Sequence, residues 1–449
     1  MHALIDMRRI LLAPLLAPLL APLVLLLPAC VDRTVSRVDP VQDNVETFDV
    51  PTVVERDVDI LFVIDSSPSM EEEHASLRND FGALLDRLDD GPEGLPNVHI
   101  GVVSSDMGTA PYNVNSQCRA DGGDRGLMTG AACTALGGAR FIEDVLDIDG
   151  TRRTNYSGAL AEVFGCAADV GVDGCGFERH LDAMRTALGG ANPGFVRDDA
   201  YLAVVFVADE DDCSARDPGL YDPSTPALGP VSDFRCHAQG ITCDDDPDPA
   251  APGRREGCVP DESSAYLESI DAYVDFLVGL KGDEDRVIMA AIVGDPDDVQ
   301  IGVDPQGRPA VLAGCPEGGL GASEPGIRFR ELLSRFTHSS LSTLCAGDLR
   351  AALAEVGEKI RASTGDMCLS RAIADRNPVR EGVQAECSMI EELDGVERVI
   401  ASCDSGAATP CWRIVVDETC SQGFGRLIID RAGAPAPDDG RIRAQCTVQ

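Results

Sequence analysis

The stretch Val58-Asp59-Ile60-Leu61-Phe62-Val63-Ile64 constrains this chain more than any other. A near-continuous apolar run of this length reads as a strand buried on both faces, the kind found at the centre of a parallel sheet. It stops in Asp65-Ser66-Ser67-Pro68-Ser69-Met70, a carboxylate followed by three hydroxyls. Ser69 and Glu72 then make a capping-box pattern. Leu77, Phe81, Leu84, Leu85 and Leu88 follow on one helical face. Strand, polar turn and helix form one unit, and the chain repeats it. Tyr201 to Ala208, Val287 to Val293 and the shorter Val98 to Val103 are further buried runs. Between and after them lie helical patterns: Phe177 to Leu188, stopped by Gly189-Gly190; Tyr266 to Leu280; Ile327 to Phe336; Leu349 to Ile360.

This alternation predicts an α/β fold, a doubly wound and mostly parallel sheet. With Phe141-Ile142 as a short edge strand counted third, Asp65 ends strand one and Asp209 ends strand four. In the 3-2-1-4-5-6 order those strands are neighbours, and they flank the switch point where open α/β sheets bind ligands. Two acidic strand ends at one crevice say more than either alone. Glu210, Asp211 and Asp212, which follow Asp209, read as loop.

Asp65-x-Ser67-x-Ser69 after a strand closely resembles the metal-ion-dependent adhesion site of von Willebrand factor type A domains. The resemblance covers about residues 56 to 363 of a domain read as 56–365, with large insertions, and extends to Cys-rich bacterial lipoproteins that carry this domain. It implies that Asp65, Ser67 and Ser69 hold a divalent cation, usually magnesium, with calcium or manganese as substitutes. Magnesium suits such a set, because it wants a few oxygen ligands and keeps waters. By the same resemblance Asp209 takes the place of the metal-linked aspartate of the third loop. A threonine from the second loop is missing here. Val172 aligns with it and cannot ligate, Thr154 and Ser157 lie upstream, and Asp173 is the alternative oxygen donor. The family implies binding rather than catalysis: adhesion to a protein or surface partner that offers a carboxylate to the open metal position. A structural envelope protein with a degenerate site is the competing reading.

With 76 acidic against 37 basic residues the formal charge is −39, which disfavours nucleic acid and anionic membrane surfaces. Residues 1–30 read as targeting sequence: Arg8-Arg9, then an apolar stretch from Ile10 to Leu27 interrupted by Pro14, Pro18 and Pro22. Leu27-Pro28-Ala29-Cys30 resembles a bacterial lipobox, which makes Cys30 the lipidation site and the protein an outer-membrane lipoprotein of the cell envelope, periplasmic or surface-exposed. Ordinary signal-peptidase cleavage and a retained anchor stay open. Residues 31–55 read as a polar tether.

Setting Cys30 aside, sixteen cysteines remain in even groups, which fits up to eight disulfides in an oxidising compartment. No Cys-x-x-Cys and no spaced histidine pair favours zinc. Long Asp-, Gly- and Pro-rich insertions after Cys213 and Asp295 therefore look disulfide-stapled. Residues 366–449, with six cysteines and short β-like runs, read as a small disulfide-rich β module. No Gly-x-Ser-x-Gly, His-Glu-x-x-His or P-loop pattern occurs, so the chain is read as a non-enzyme, a metal-dependent hydrolase being the weakest alternative.

Overall fold

The apolar runs become the middle of a seven-stranded sheet. The structure is a computed structural model, and it describes residues 45–50, 56–89, 94–146, 151–244, 248–314, 321–364, 369, 373–375, 384–393, 396–415, 425–431 and 441–448. The targeting segment and Cys30 lie outside the described residues. The chain enters through β1 (Val45–Val50), then β2 (Asp57–Ile64), α1 (Glu71–Leu88) and β3 (Asn97–Ser104). After a long loop come β4 (Ile142–Leu146), β5 (Arg152–Thr154), α2 (Leu160–Ala167), α3 (His180–Thr186) and β6 (Tyr201–Val207). The first insertion folds as α4 (Phe234–Gly240) with the short strands β7 (Ile241–Thr242), β8 (Gly253–Arg255) and β9 (Val259–Pro260). It leads to α5 (Ile270–Lys281) and β10 (Val287–Val293). A second insertion with β11 (Val299–Val303) and β12 (Pro309–Val311) precedes α6 (Ile327–Ser334), β13 (His338–Thr343) and α7 (Arg350–Ser363).

The central sheet runs β13-β10-β6-β2-β3-β4-β5. From β13 to β3 every pairing is parallel, whereas β4 and β5 join antiparallel. The expected order holds: β2 and β6 are neighbours, and the strand expected at Phe141-Ile142 is present as β4, although β5 pairs beyond it and takes the edge. The sixth strand is β13, whose sequence His338-Ser-Ser-Leu-Ser-Thr343 shows no apolar run because it is an edge with only Ser340 buried.

Alternation along β2 sorts the core into two layers. Val58, Ile60, Phe62 and Ile64 pack with α1, α2 and α7 on one face. Leu61 and Val63 pack with α3, α5 and α6 on the other. On the first face the Phe81 and Phe164 rings stack, and Phe62 meets both edge-on. Each such ring contributes roughly 1.5–3 kcal/mol through burial.

Two helix starts differ from expectation. A 3-10 turn, Pro68–Met70, precedes α1, and no side chain caps the helix. The Ser69 hydroxyl faces Ser67 instead (2.8 Å), so the capping box does not form. Glu71, Glu72 and Glu73 in the first turn supply the negative charge a helix start favours. Helix α3 begins at His180 rather than Phe177. Phe177 is drawn away into the insertion core against Tyr221, and Asp212 accepts the Leu181 N–H (2.9 Å) at the new start. This helix ends in a wide turn, Ala187–Ala191, with Gly190 at φ 109°.

Six disulfides join described cysteines: Cys118–Cys175, Cys133–Cys166, Cys213–Cys236, Cys243–Cys258, Cys387–Cys446 and Cys403–Cys411. Each stays within one of the even groups read from the sequence. The second sheet contains β14 (Cys387–Leu393), β15 (Val396–Ser402), β16 (Cys411–Val415), β17 (Arg426–Asp430) and β18 (Arg441–Thr447), in the order β1-β18-β14-β15-β16-β17. Its edge strand is therefore β1, from the segment expected to be tether. Val45 to Val50 pair antiparallel with Thr447 to Ile442, so backbone pairing claims residues whose side-chain pattern gives no hint of it.

Candidate metal centre

The site is built at the carboxyl ends of β2 and β6. Asp65 follows β2 directly, and its amide donates to the Val207 carbonyl at the end of β6 (2.9 Å), fixing the two strand ends together. The Ser67 amide donates to Asp65 Oδ1 (2.7 Å), which turns the chain back over the carboxylate. Ser67 Oγ then stands 2.8 Å from Ser69 Oγ and 3.4 Å from Asp209 Oδ1. The structure thus brings Asp65, Ser67, Ser69 and Asp209 to one place. Asp65, Ser67 and Asp209 are buried, and Ser69 is exposed, so the group opens outward at Ser69.

Neighbouring loops close the rest. The Gly174 amide donates to the Ser66 carbonyl (2.9 Å), bringing the loop before α3 onto the turn. A side chain at Gly174 would meet Ser66 Oγ at 2.2 Å, so only glycine allows this approach. The Glu324 amide donates to the Asp209 carbonyl (2.7 Å), which seats the second insertion on the third loop. Gly321 of that insertion packs over Glu73, where a Cβ would lie 2.7 Å from Oε1.

The second loop, Ala168 to Gly176, carries no hydroxyl in place of the missing threonine. Val172 is half-buried and Asp173 is exposed, one residue before Gly174. Thr154 lies on β5, three strands from β2. The amide of Ser157 donates to the Ala135 carbonyl (3.0 Å), which holds it in the loop after β5.

The electrostatics are those of crowded anions. Burial, with Asp65 and Glu73 adding repulsion, pushes the Asp209 carboxyl up to about 7 against the opposing hydrogen bond from Ser69. Glu73 is raised to about 7 as well, by burial first, with Glu72 and Asp65 contributing. Asp65 Oδ2 and Glu73 Oε2 are buried without hydrogen-bond partners. His180 Nε2 comes within 3.4 Å of Asp65 Oδ2 but does not form a hydrogen bond with it. His74 Nε2 sits 2.7 Å from the Asp65 carbonyl and holds the turn from below. An orphaned buried carboxylate oxygen beside two hydroxyls and a second carboxylate is a donor set that fits a hard divalent cation. Among the described residues no three acidic, histidine or cysteine side chains form a ready-made cluster, because half of this set is hydroxyl.

Sequence reasoning missed Glu73, Gly174 and His180. Glu73 stands four residues after Ser69, one turn along α1, and that spacing was the available signal. His180 and Gly174 reach the site only through the tertiary fold. Asp211 and Asp212, read as loop, anchor the frame: Asp211 accepts the Arg328 amide (3.1 Å), and Asp212 pairs with the buried Arg328 guanidinium (3.1 Å).

Neither a protein-family model nor any curated protein sequence matches the chain. Among solved structures, a von Willebrand factor type A protein from Catenulispora acidiphila aligns over 90% of this chain and 65% of its own, at 12% identity and TM-score 0.29. The pilus adhesin SpaC from Lactobacillus rhamnosus GG aligns over 90% of this chain and 40% of its own, at 10% identity and TM-score 0.31. The adhesive tip pilin GBS104 from Group B Streptococcus agalactiae aligns over 91% and 83%, at 10% identity and TM-score 0.30. The chain thus spans less than two thirds of the first two. Superpositions this loose carry no argument, and the fold rests on the strand order and pairings above.

Proposed function

We propose that the chain is a binding module that holds a divalent cation, magnesium foremost, at Asp65, Ser67, Ser69 and Asp209. The cation presents an open position to a carboxylate of a protein or surface partner. The observation that carries this is the pair Asp65 and Asp209: two carboxylates fixed at adjacent strand ends, one with an orphaned buried oxygen and the other pushed up to about 7 by burial and its neighbour. Bound metal would supply the missing positive charge and a Lewis-acidic site for an incoming carboxylate. Ser67 and Ser69 orient the site, and Asp209 closes its inner side. Asp173, exposed at the second loop, is the added oxygen donor where the family resemblance has threonine. The resemblance to von Willebrand factor type A domains supports binding in place of turnover. Disulfides fit an extracellular or cell-envelope setting, and Cys30 is the proposed lipid anchor to the membrane. Among the described residues no helix is long and apolar enough to cross a membrane.

The test is thermal melting of the full chain in chelator and then in magnesium chloride. Wild type gains several degrees with magnesium, whereas Asp65→Ala and Ser67→Ala gain none. A wild type that shows no shift favours the structural reading, in which the missing threonine has cost the site its ion. Chelator-sensitive hydrolysis of an ester or phosphate would favour the enzyme reading.

A further inference from the structure

The open side of β13 is a surface that the proposed centre does not use. This strand ends the central sheet, and among the described residues no other strand pairs with its far side. The Leu344 amide donates to the carbonyl of Val293 (3.0 Å), the residue that stands beside Thr343 in the ladder. In a parallel pair this alternation turns the backbone groups of Ser340 and Ser342 toward β10 and those of Ser339, Leu341 and Thr343 outward.

Edge strands are normally guarded by charge, proline or a bulge, because a bare row of amides and carbonyls is a template for another strand. The other edges of the two large sheets follow this rule. Strand β5 carries Arg152 and Arg153, β1 carries Glu46 and Asp49, and β17 carries Arg426 and Asp430. Strand β13, His338-Ser-Ser-Leu-Ser-Thr343, contains no Lys, Arg, Asp, Glu or Pro. Leu341, in its middle, is 39% exposed, the wrong residue for an edge that stays in water.

We propose that β13 pairs antiparallel with β13 of a second copy, about a twofold axis at Leu341, so that two central sheets become one. The outward groups set the register. Leu341 lies opposite Leu341 of the second copy, and Ser339 lies opposite Thr343 in both directions. Each such pair exchanges amide and carbonyl, which gives roughly six backbone hydrogen bonds. Leucine closes on leucine at the axis, and no like charges stand opposite each other. The helix above adds charge complementarity. Glu355 of α7 accepts from Ser342 Oγ (3.1 Å), which seats it over the edge strand, and Lys359 follows one turn further on the same stripe. A twofold axis reverses that stripe, so Glu355 of each copy faces the Lys359 end of the other, and this self-complementarity selects a second copy as the occupant. Antiparallel joining also sends the two Asp65–Asp209 centres to opposite rims of the joined sheet. One dimer then grips two partners; that consequence rests on the binding role proposed above, whereas the pairing does not.

The experiment is sedimentation velocity of the full chain over a series of micromolar concentrations, in chelator and in magnesium chloride. Wild type forms a dimer that dissociates on dilution, equally in both. Leu341→Lys sets two like charges at the axis and stays monomeric where wild type is dimeric, with the circular dichroism of the folded protein unchanged. Glu355→Lys weakens the dimer, and adding Lys359→Glu restores it, a rescue that damage to the fold would not give. A wild type that is monomeric at every concentration overturns the pairing, and so does a dimer indifferent to Leu341→Lys. Failure of the metal reading looks different: the melting shift with magnesium is absent while the dimer persists.

Discussion

Glu73 shows how one side chain carries the state of the proposed centre. Its folded value is about 7 against an ordinary 4.5, raised by burial. The sign follows: its contribution to stability is fully present below about pH 4.5 and is lost as pH rises through 7. In chelator, Glu73→Gln therefore stabilises the protein by about 1–2 kcal/mol at pH 8 and by nothing at pH 4. Melting curves at the two pH values check this, and an equal gain at both would refute it. Asp65, Ser67, Ser69 and Asp209 were legible because strand ends in an α/β sheet are fixed by the apolar runs before them. Gly174 and His180 were not, because nothing local marks a residue that only the tertiary fold brings to the turn.

At the scale of elements, the second loop matters through its backbone. Gly174 lies against Ser66, and the amide that reaches the Ser66 carbonyl keeps this loop on the turn. Gly174→Ala places a methyl where Ser66 Oγ sits and costs about 1–3 kcal/mol of strain. It should weaken magnesium binding more than it lowers the melting temperature, because the loop yields before the sheet does. A calorimetric magnesium titration reads this, and wild-type affinity in the variant would contradict it. Strands β2, β6 and β10 were readable because their near-continuous apolar runs, buried on both faces, leave little ambiguity of period. Strand β13 escaped notice for the opposite reason: its half-covered edge position tolerates serine and threonine. The start of α3 moved because Phe177 found a better partner in Tyr221, a contact made by an insertion whose course sequence does not reveal.

For the molecule as a whole, β1 is the feature that changes the picture. A segment expected to be a passive tether supplies the edge of the carboxyl-terminal sheet. Removing residues 45–50 uncovers β18, and an unpaired edge invites association. Amides of Arg441–Thr447 should then exchange hydrogen faster, and the protein should self-associate, while the magnesium response of the central sheet stays. Exchange in that strand as slow as wild type would argue against the pairing. The same strand stands directly before β2 in the chain, and this fixes the route by which a pull would travel. Tension applied at the amino end, with the site held by a partner, must first strip six residues of β1 from β18. That peeling would pay out about 20 Å of slack before load reached β2.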